Sequence, residues 1–138
     1  MAAKDRIHSA VKSALIKDGW TITHDPYTLD NIEPKLYIDL AAERFLAAQK
    51  DDQFIAIEVK SFVGESAVSD LEDALGQFIL YHDLLAMKEP YRELLLAVPE
   101  HAYEGIFSEP VGQLLLTNKR LRLIVVDVLS EEVLRWVR

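Results

Sequence analysis

Phe54-Ile55-Ala56-Ile57-Glu58-Val59-Lys60-Ser61-Phe62 is the stretch on which the reading of this chain turns. Side chains of a strand alternate between two faces. Ile55, Ile57 and Val59 therefore share one face and Phe54, Ala56, Glu58 and Lys60 the other, and the predicted strand runs from Gln53 to Phe62. Glu58 and Lys60 project from the same face, about 6.6 Å apart along it. Such a pair has two readings. It marks the solvated side of a half-exposed strand, the commoner origin of an acid and a base at i, i+2, or it marks a site. The apolar neighbours Phe54 and Ala56 favour a site, because charges at the end of a partly apolar face are placed for something other than solvation.

Upstream, Lys35 to Ala41 reads as a strand in which Leu36, Ile38 and Leu40 alternate with Tyr37 and Asp39. Asp39 then faces away from the aliphatic residues. Lys50-Asp51-Asp52 reads as a hairpin-like turn between this strand and the next. If the two strands pair, Asp39 approaches Glu58. Two carboxylates and the backbone carbonyl of Val59 make an all-oxygen donor set suited to Mg²⁺ or Mn²⁺. At such a centre Lys60 would orient a water, lower its pKa, or meet negative charge developing on a phosphate.

Downstream, Ser69-Asp70-Leu71-Glu72 matches a capping box, with Ser69 as N-cap and Glu72 at N3. It opens a predicted helix to about Met87, with Leu71, Leu75, Phe78 and Leu85 as its apolar stripe. Gln77 and Tyr81, at i, i+4, share one face of that helix. An ordinary polar pair at a helix margin has the same spacing. Residues 4–18 read as the first helix, with Ile7, Val11 and Leu15 at four-residue spacing, Ala10 and Ala14 beside them, and Gly19 as the residue after its end. Trp20 to Thr23 reads as a short strand and His24 to Tyr27 as a turn. Glu93 to Val98 reads as a central strand ended by Pro99. Residues 100–116 hold short helices broken near Pro110 and Gly112, and Leu121 to Val128 and Glu132 to Val137 close the chain as strands. The expected order is α-β-β-β-α-β-α-β-β, an α/β fold with a central mixed β-sheet flanked by helices.

Composition bounds the rest. The 138 residues suit one domain, residues 1–138, and half of them are apolar. There is no cysteine, which removes disulfides, thiolate metal sites and thiol catalysis. Met1 to Arg6 turns charged at once with no apolar core of a leader, and no apolar run approaches the roughly 20 residues of a membrane helix. The cytoplasm is the expected compartment. A net charge of −8 argues against a protein that coats nucleic acid unaided. His24, His82 and His101 lack metal-ligand spacing, and no phosphate-binding Gly-rich loop or nucleophile elbow is present.

Several segments resemble the XisH family: Ala3 to His8, Ala14 to Tyr27 (ALIKDGWTITHDPY), Asp39 to Arg44 (DLAAER), Ile57 to Phe62 (IEVKSF) and Asp70 to Tyr81 (DLEDALGQFILY). The likeness runs along essentially the whole chain. XisH proteins are named as factors controlling excision of the fdxN element in cyanobacteria, and the resemblance implies a restriction-endonuclease-like fold of the PD-(D/E)xK kind. It implies Asp39, Glu58 and Lys60 as the catalytic set and Gln77 with Tyr81 as the accessory pair of the RecB-like branch. Asp5 on the first helix is the candidate extra acid, although an acid in a first turn also simply complements the helix dipole. Ile38 stands where the written motif has proline. The implied partners are DNA and a small XisI-like protein. A homodimer is expected only because two-fold dimers are the commonest oligomers. Two functions stay open: a metal-dependent nuclease, or a non-catalytic regulatory module of the same fold. A fold alone does not decide between them.

Overall fold

The first helix, α1 (Ala3–Lys17), ends in a pair of reversed hydrogen bonds. Gly19 N–H donates to the Ile16 carbonyl at 3.1 Å and Trp20 N–H to the Leu15 carbonyl at 3.0 Å. This is the Schellman arrangement, and it needs the left-handed backbone that Gly19 adopts at φ 93°. Ile7, Val11, Ala14, Leu15 and Trp20 are buried together on one side of a sheet. The computed structural model of the protein describes residues 3–46 and 51–138.

Among the described residues eight strands follow: β1 (Thr21–His24), β2 (Tyr27–Leu29), β3 (Leu36–Ile38), β4 (Leu40–Leu46), β5 (Asp51–Val59), β6 (Glu93–Pro99), β7 (Leu123–Asp127) and β8 (Glu132–Val137). The long helix α2 (Ala67–Lys88) joins β5 to β6. Between β6 and β7 lie α3 (Glu100–Glu104), a 3₁₀ turn (Ile106–Ser108) and α4 (Pro110–Thr117). Six strands form one sheet in the order β1-β4-β5-β6-β7-β8, while β2 and β3 form a separate two-stranded ribbon. The centre β5-β6-β7 is parallel and the margins are antiparallel, as in a mixed sheet with crossover helices. The outer strands β1 and β8 each lie along a bulged pairing. The apolar face of α2, through Leu71, Ala74, Phe78, Tyr81 and Leu85, packs with Phe107 and the second face of the sheet. The fold is thus a mixed sheet with helices on both faces. No helix among the described residues is long and apolar enough to cross a membrane.

Several local expectations change. The strand expected over 35–41 is cut at Asp39, which sits in a bend between β3 and β4. Ile38 packs on the α2 side and Leu40 on the α1 side, so the alternation read from Leu36, Ile38 and Leu40 slips at Asp39. Asp51 and Asp52 belong to β5 rather than to a turn, and Lys50 lies outside the described residues. The β2–β3 ribbon adds strands that were not expected. The N-cap of α2 is Ser66, not Ser69, because the Ser66 hydroxyl accepts the Ser69 N–H at 3.1 Å. The short helices over 100–116 are interrupted just before Pro110, as expected, but not at Gly112. Pro110 opens α4, where its missing N–H costs nothing. Gly112 lies within that helix, where a Cβ would stand 2.2 Å from the Ile106 carbonyl oxygen.

The ribbon is tied to the end of α2 by a polar cluster around Arg92, which is 8% exposed. Its guanidinium donates to the Glu89 carboxylate and the Ile55 carbonyl, both at 3.0 Å, and lies against the rings of Tyr27 and Phe54. Glu89 also accepts the hydroxyls of Tyr27 and Tyr91. Burial pushes the Tyr27 hydroxyl upward, and its bond to the Glu89 carboxylate adds to that, so it remains a donor. Lys88 reaches the Thr28 carbonyl at 2.6 Å and the Asp30 carboxylate at 2.9 Å. Burial opposes ionisation of Glu89. The hydrogen bonds from Tyr27, Tyr91 and Arg92, with the charge of Arg92, outweigh it and hold the carboxyl down at about 2.

A depressed carboxyl pKa stabilises the fold above the carboxyl's ordinary value near 4.5, and that contribution is lost as pH falls toward about 2. Glu89→Gln should therefore be less stable than wild type at neutral pH by about 3 kcal/mol. The two proteins should converge as pH is lowered through that window. Urea unfolding at neutral pH and at stepwise lower pH measures the difference, and a gap that stays constant with pH would contradict this role for the ionised Glu89.

Candidate functional site

The chain leaves the ribbon and joins the six-stranded sheet at Asp39, and the pairing of β4 with β5 ends at Leu40 opposite Ile57. Past that point the backbone no longer supplies an acceptor to β5, and the Asp39 side chain takes over. Val59 N–H donates to Asp39 Oδ2 at 2.8 Å. In return, Asp39 N–H donates to Glu58 Oε1 at 3.2 Å. Each carboxylate thus has one oxygen held by the other residue's neighbourhood, and the two acids meet at the end of the strand. The N–H and carbonyl of a strand residue point the same way. The Val59 carbonyl is accordingly directed to the Asp39 side.

Asp39, Glu58, Val59, Lys60 and Gln77 line one cleft of about 180 Å³, together with Ser61 and with Ile7 from α1. Glu58 is 9% exposed and sits on the α2 face of β5, as the strand alternation predicts. Lys60 follows the last residue of β5, and its N–H continues the parallel ladder to the Ala97 carbonyl at 3.0 Å. Gln77 reaches the cleft from α2. Tyr81, one turn later, is buried in the core on the α2 side and does not line the cleft. Burial, then the negative charges of Glu58 and Asp39, push the Tyr81 hydroxyl above its ordinary value, so it stands by the acids as a neutral group. Asp5 is exposed on α1 and does not line the cleft. His8, three residues on, is engaged instead with Asp25 at 2.9 Å, and Lys12 holds the other oxygen of that acid at 2.8 Å. His101 meets the Phe62 carbonyl at 3.2 Å, and His24 lies on the surface beside Thr23.

Among the described residues, no three His, Cys, Asp or Glu side chains gather where they could hold a metal. The donor set is two carboxylates with a carbonyl beside them, all oxygen. That suits a hard cation which keeps most of its waters and borrows further ligands from a phosphate, the usual habit of Mg²⁺. Two residues of the cleft escaped the sequence reading. Ile7 is indistinguishable from its core neighbours by spacing. Ser61 directly follows Lys60, but the strand expected to run to Phe62 ends at Val59, so the alternation carries no information there.

A family model described as XisH protein matches residues 1–134. A solved structure of an XisH family protein from Nostoc punctiforme PCC 73102 is 38% identical to the chain, with a TM-score of 0.87 over 97% of this chain and 100% of that one. A fdxN element excision controlling factor protein from Anabaena variabilis is 41% identical, with a TM-score of 0.86 over 97% and 99% of the two chains. No curated protein matches the chain.

The Asp39 carboxylate has a structural task apart from any ligand, since it satisfies Val59 N–H at the sheet's margin. Asp39→Ala should lower stability by about 1–3 kcal/mol, the cost of leaving a part-buried donor without its acceptor. Asp39→Asn keeps an oxygen acceptor and relieves the repulsion with Glu58, and should cost less than about 1 kcal/mol. Denaturant unfolding in chelator compares the three proteins. Equal stability of Asp39→Ala and wild type would show that the carboxylate does not hold this bend.

Proposed function

The chain belongs to the XisH family, and on that premise we propose that it is a DNA-element excision controlling factor carrying a divalent-metal-dependent nuclease-type site. The fold we read is restriction-endonuclease-like, with β4 and β5 as its catalytic strands and α2 as its accessory helix. The reading is carried by one observation: Asp39, Glu58, Val59 and Lys60 line a single cleft at the end of β5, with Gln77 on its wall. Asp39, Glu58 and the Val59 carbonyl would hold Mg²⁺ or Mn²⁺. A bound cation would supply Lewis acidity toward a phosphodiester. The chain's own groups do the rest. Lys60 offers a positive charge where phosphate oxygens gain negative charge. Gln77 offers an amide to orient the substrate or a water, and neutral Tyr81, buried near the two acids, adds no charge there. In this reading the substrate is DNA, a XisI-like protein is the partner, and a homodimer is an allowed assembly.

A second reading is favoured by the net charge of −8. A strongly acidic chain repels DNA at long range, which suits a regulatory module that keeps the fold and assembles with a protein partner or a recombinase. The two readings separate on one experiment. Purified protein, alone and with a XisI-like partner, is incubated with supercoiled, linear and single-stranded DNA in Mg²⁺ or Mn²⁺. The nuclease reading expects cleavage that chelator removes and that Lys60→Ala reduces by about a hundredfold or more with the melting temperature unchanged. DNA left uncut in every condition, with Lys60→Ala still supporting excision in cells, would establish the regulatory module instead.

A further inference from the structure

A second open groove, of about 330 Å³, lies on another flank of α2. Phe78, His82 and Asp83 form its α2 side, and Lys119, Arg120 and Arg122, from the turn between α4 and β7, form the other. Three cations within four residues are a local reversal of sign in a chain of net charge −8. Arg122 shares Glu93 at 3.2 Å. The side chains of Lys119 and Arg120 take no partner among the described residues. Asp83 is turned toward His82 Nδ1, at 3.5 Å.

The backbone under this turn is strained in a telling way. Lys119 N–H donates to the Leu116 carbonyl at 3.1 Å and Arg120 N–H to the Leu115 carbonyl at 2.8 Å, the same Schellman pattern that ends α1. At the corresponding position α1 has glycine. Here Lys119 takes the left-handed backbone at φ 55°. A side chain there crowds the following carbonyl, so glycine is the usual occupant. A lysine held in this conformation keeps a cost to stability and sets an ammonium at the rim of the groove. Opposite it, the rings of Phe78 and His82 are stacked, with centroids 6.2 Å apart and planes 20° from parallel. The His82 side chain is 53% exposed, so its outer face is open.

An exposed flat ring on an apolar floor, facing cations without partners, matches the chemistry of a nucleoside phosphate: the base stacks and the phosphate takes the charge. We propose that this groove binds the nucleotides of a single DNA strand, with a base on His82 and the adjoining phosphate on Lys119 and Arg120. The proposal rests on the reading that the chain acts on DNA. It supplies the grip that the acidic whole lacks.

Fluorescence anisotropy of a short labelled DNA strand, in chelator so that nothing is cut, tests it. His82→Ala should weaken binding by about 5- to 150-fold, the range for loss of one base–aromatic stack. Lys119→Gly and Arg120→Ala should each reduce the slope of log affinity against log salt by about 0.7. Lys119→Gly should also raise the melting temperature by about 2–4 °C, and a gain in stability with a loss of affinity is not what a structural role for Lys119 gives. Lys35→Ala, which removes an exposed charge away from the groove, should bind as wild type. Failure of wild type to bind the strand, or groove variants that bind as wild type does, would overturn the proposal. So would a deoxynucleoside monophosphate that binds as tightly as the strand. Metal-dependent cleavage undiminished by the groove variants would leave the carboxylate cleft standing and remove the groove. Groove-dependent binding by a protein that never cuts would do the reverse.

Discussion

The change of sheet at Asp39 is the constraint on which the rest of the site depends. A strand that simply continued would have offered β5 a backbone carbonyl. By bending away, the chain leaves Val59 N–H to a side chain, and an aspartate supplies the oxygen at 2.8 Å. The same bend sends Ile38 into one core and Leu40 into the other. One residue thus closes two apolar layers and delivers a carboxylate beside Glu58. The two acids are kept close by backbone N–H groups, each accepting one from the other's neighbourhood. Their proximity therefore does not depend on a cation being present.

The bend is held from a distance. Arg92, Glu89 and Tyr27 anchor the β2–β3 ribbon to the end of α2 and to the carbonyl of Ile55. A buried guanidinium is costly unless its donors are satisfied, and here it is shared among a carboxylate, the carbonyls of Ala42 and Ile55, and two ring faces. The cluster links the hairpin that leads into Asp39 with the strand that carries Glu58. None of its members lines the cleft.

Much of this was legible in the residues and some was not. The alternation over 54–60 assigns the faces of β5 as the structure has them, because a central strand buried on both sides obeys a strict period of two. The apolar stripe likewise gives the orientation of α2, with Leu71, Phe78 and Leu85 in the core. The order of strands around Asp39 was not legible, because the bend leaves the hydrophobic pattern intact while reversing the face it marks. The ribbon strands β2 and β3 have three residues each, too few to show a period. The cap of α2 was misplaced by three residues because Ser69, with Glu72 three residues on, fits a capping box that Ser66 lacks, and only the hydroxyl's geometry identifies Ser66. The cluster around Arg92 has no local signature at all, since its members lie up to 65 positions apart in the chain, from Tyr27 to Arg92. Asp5, the motif position on α1, is exposed and does not line the cleft.

The order of the six strands leaves the sheet open at both ends, and the two ends are alike in character. β1 is four residues long and its pairing is bulged between Ile22 and His24. β8 carries Glu132 and Arg135 and lies against a bulge between Val125 and Val126. Short, irregular or charged margins make poor templates for a further strand. The sheet is therefore closed to extension without being closed into a barrel. Two copies of this molecule gain little by joining edge to edge, and aggregation by strand addition is discouraged from either side. What the fold offers to other molecules is its helical flanks and the loops at the strand ends, where Lys60, Gln77, Lys119 and Arg120 are presented.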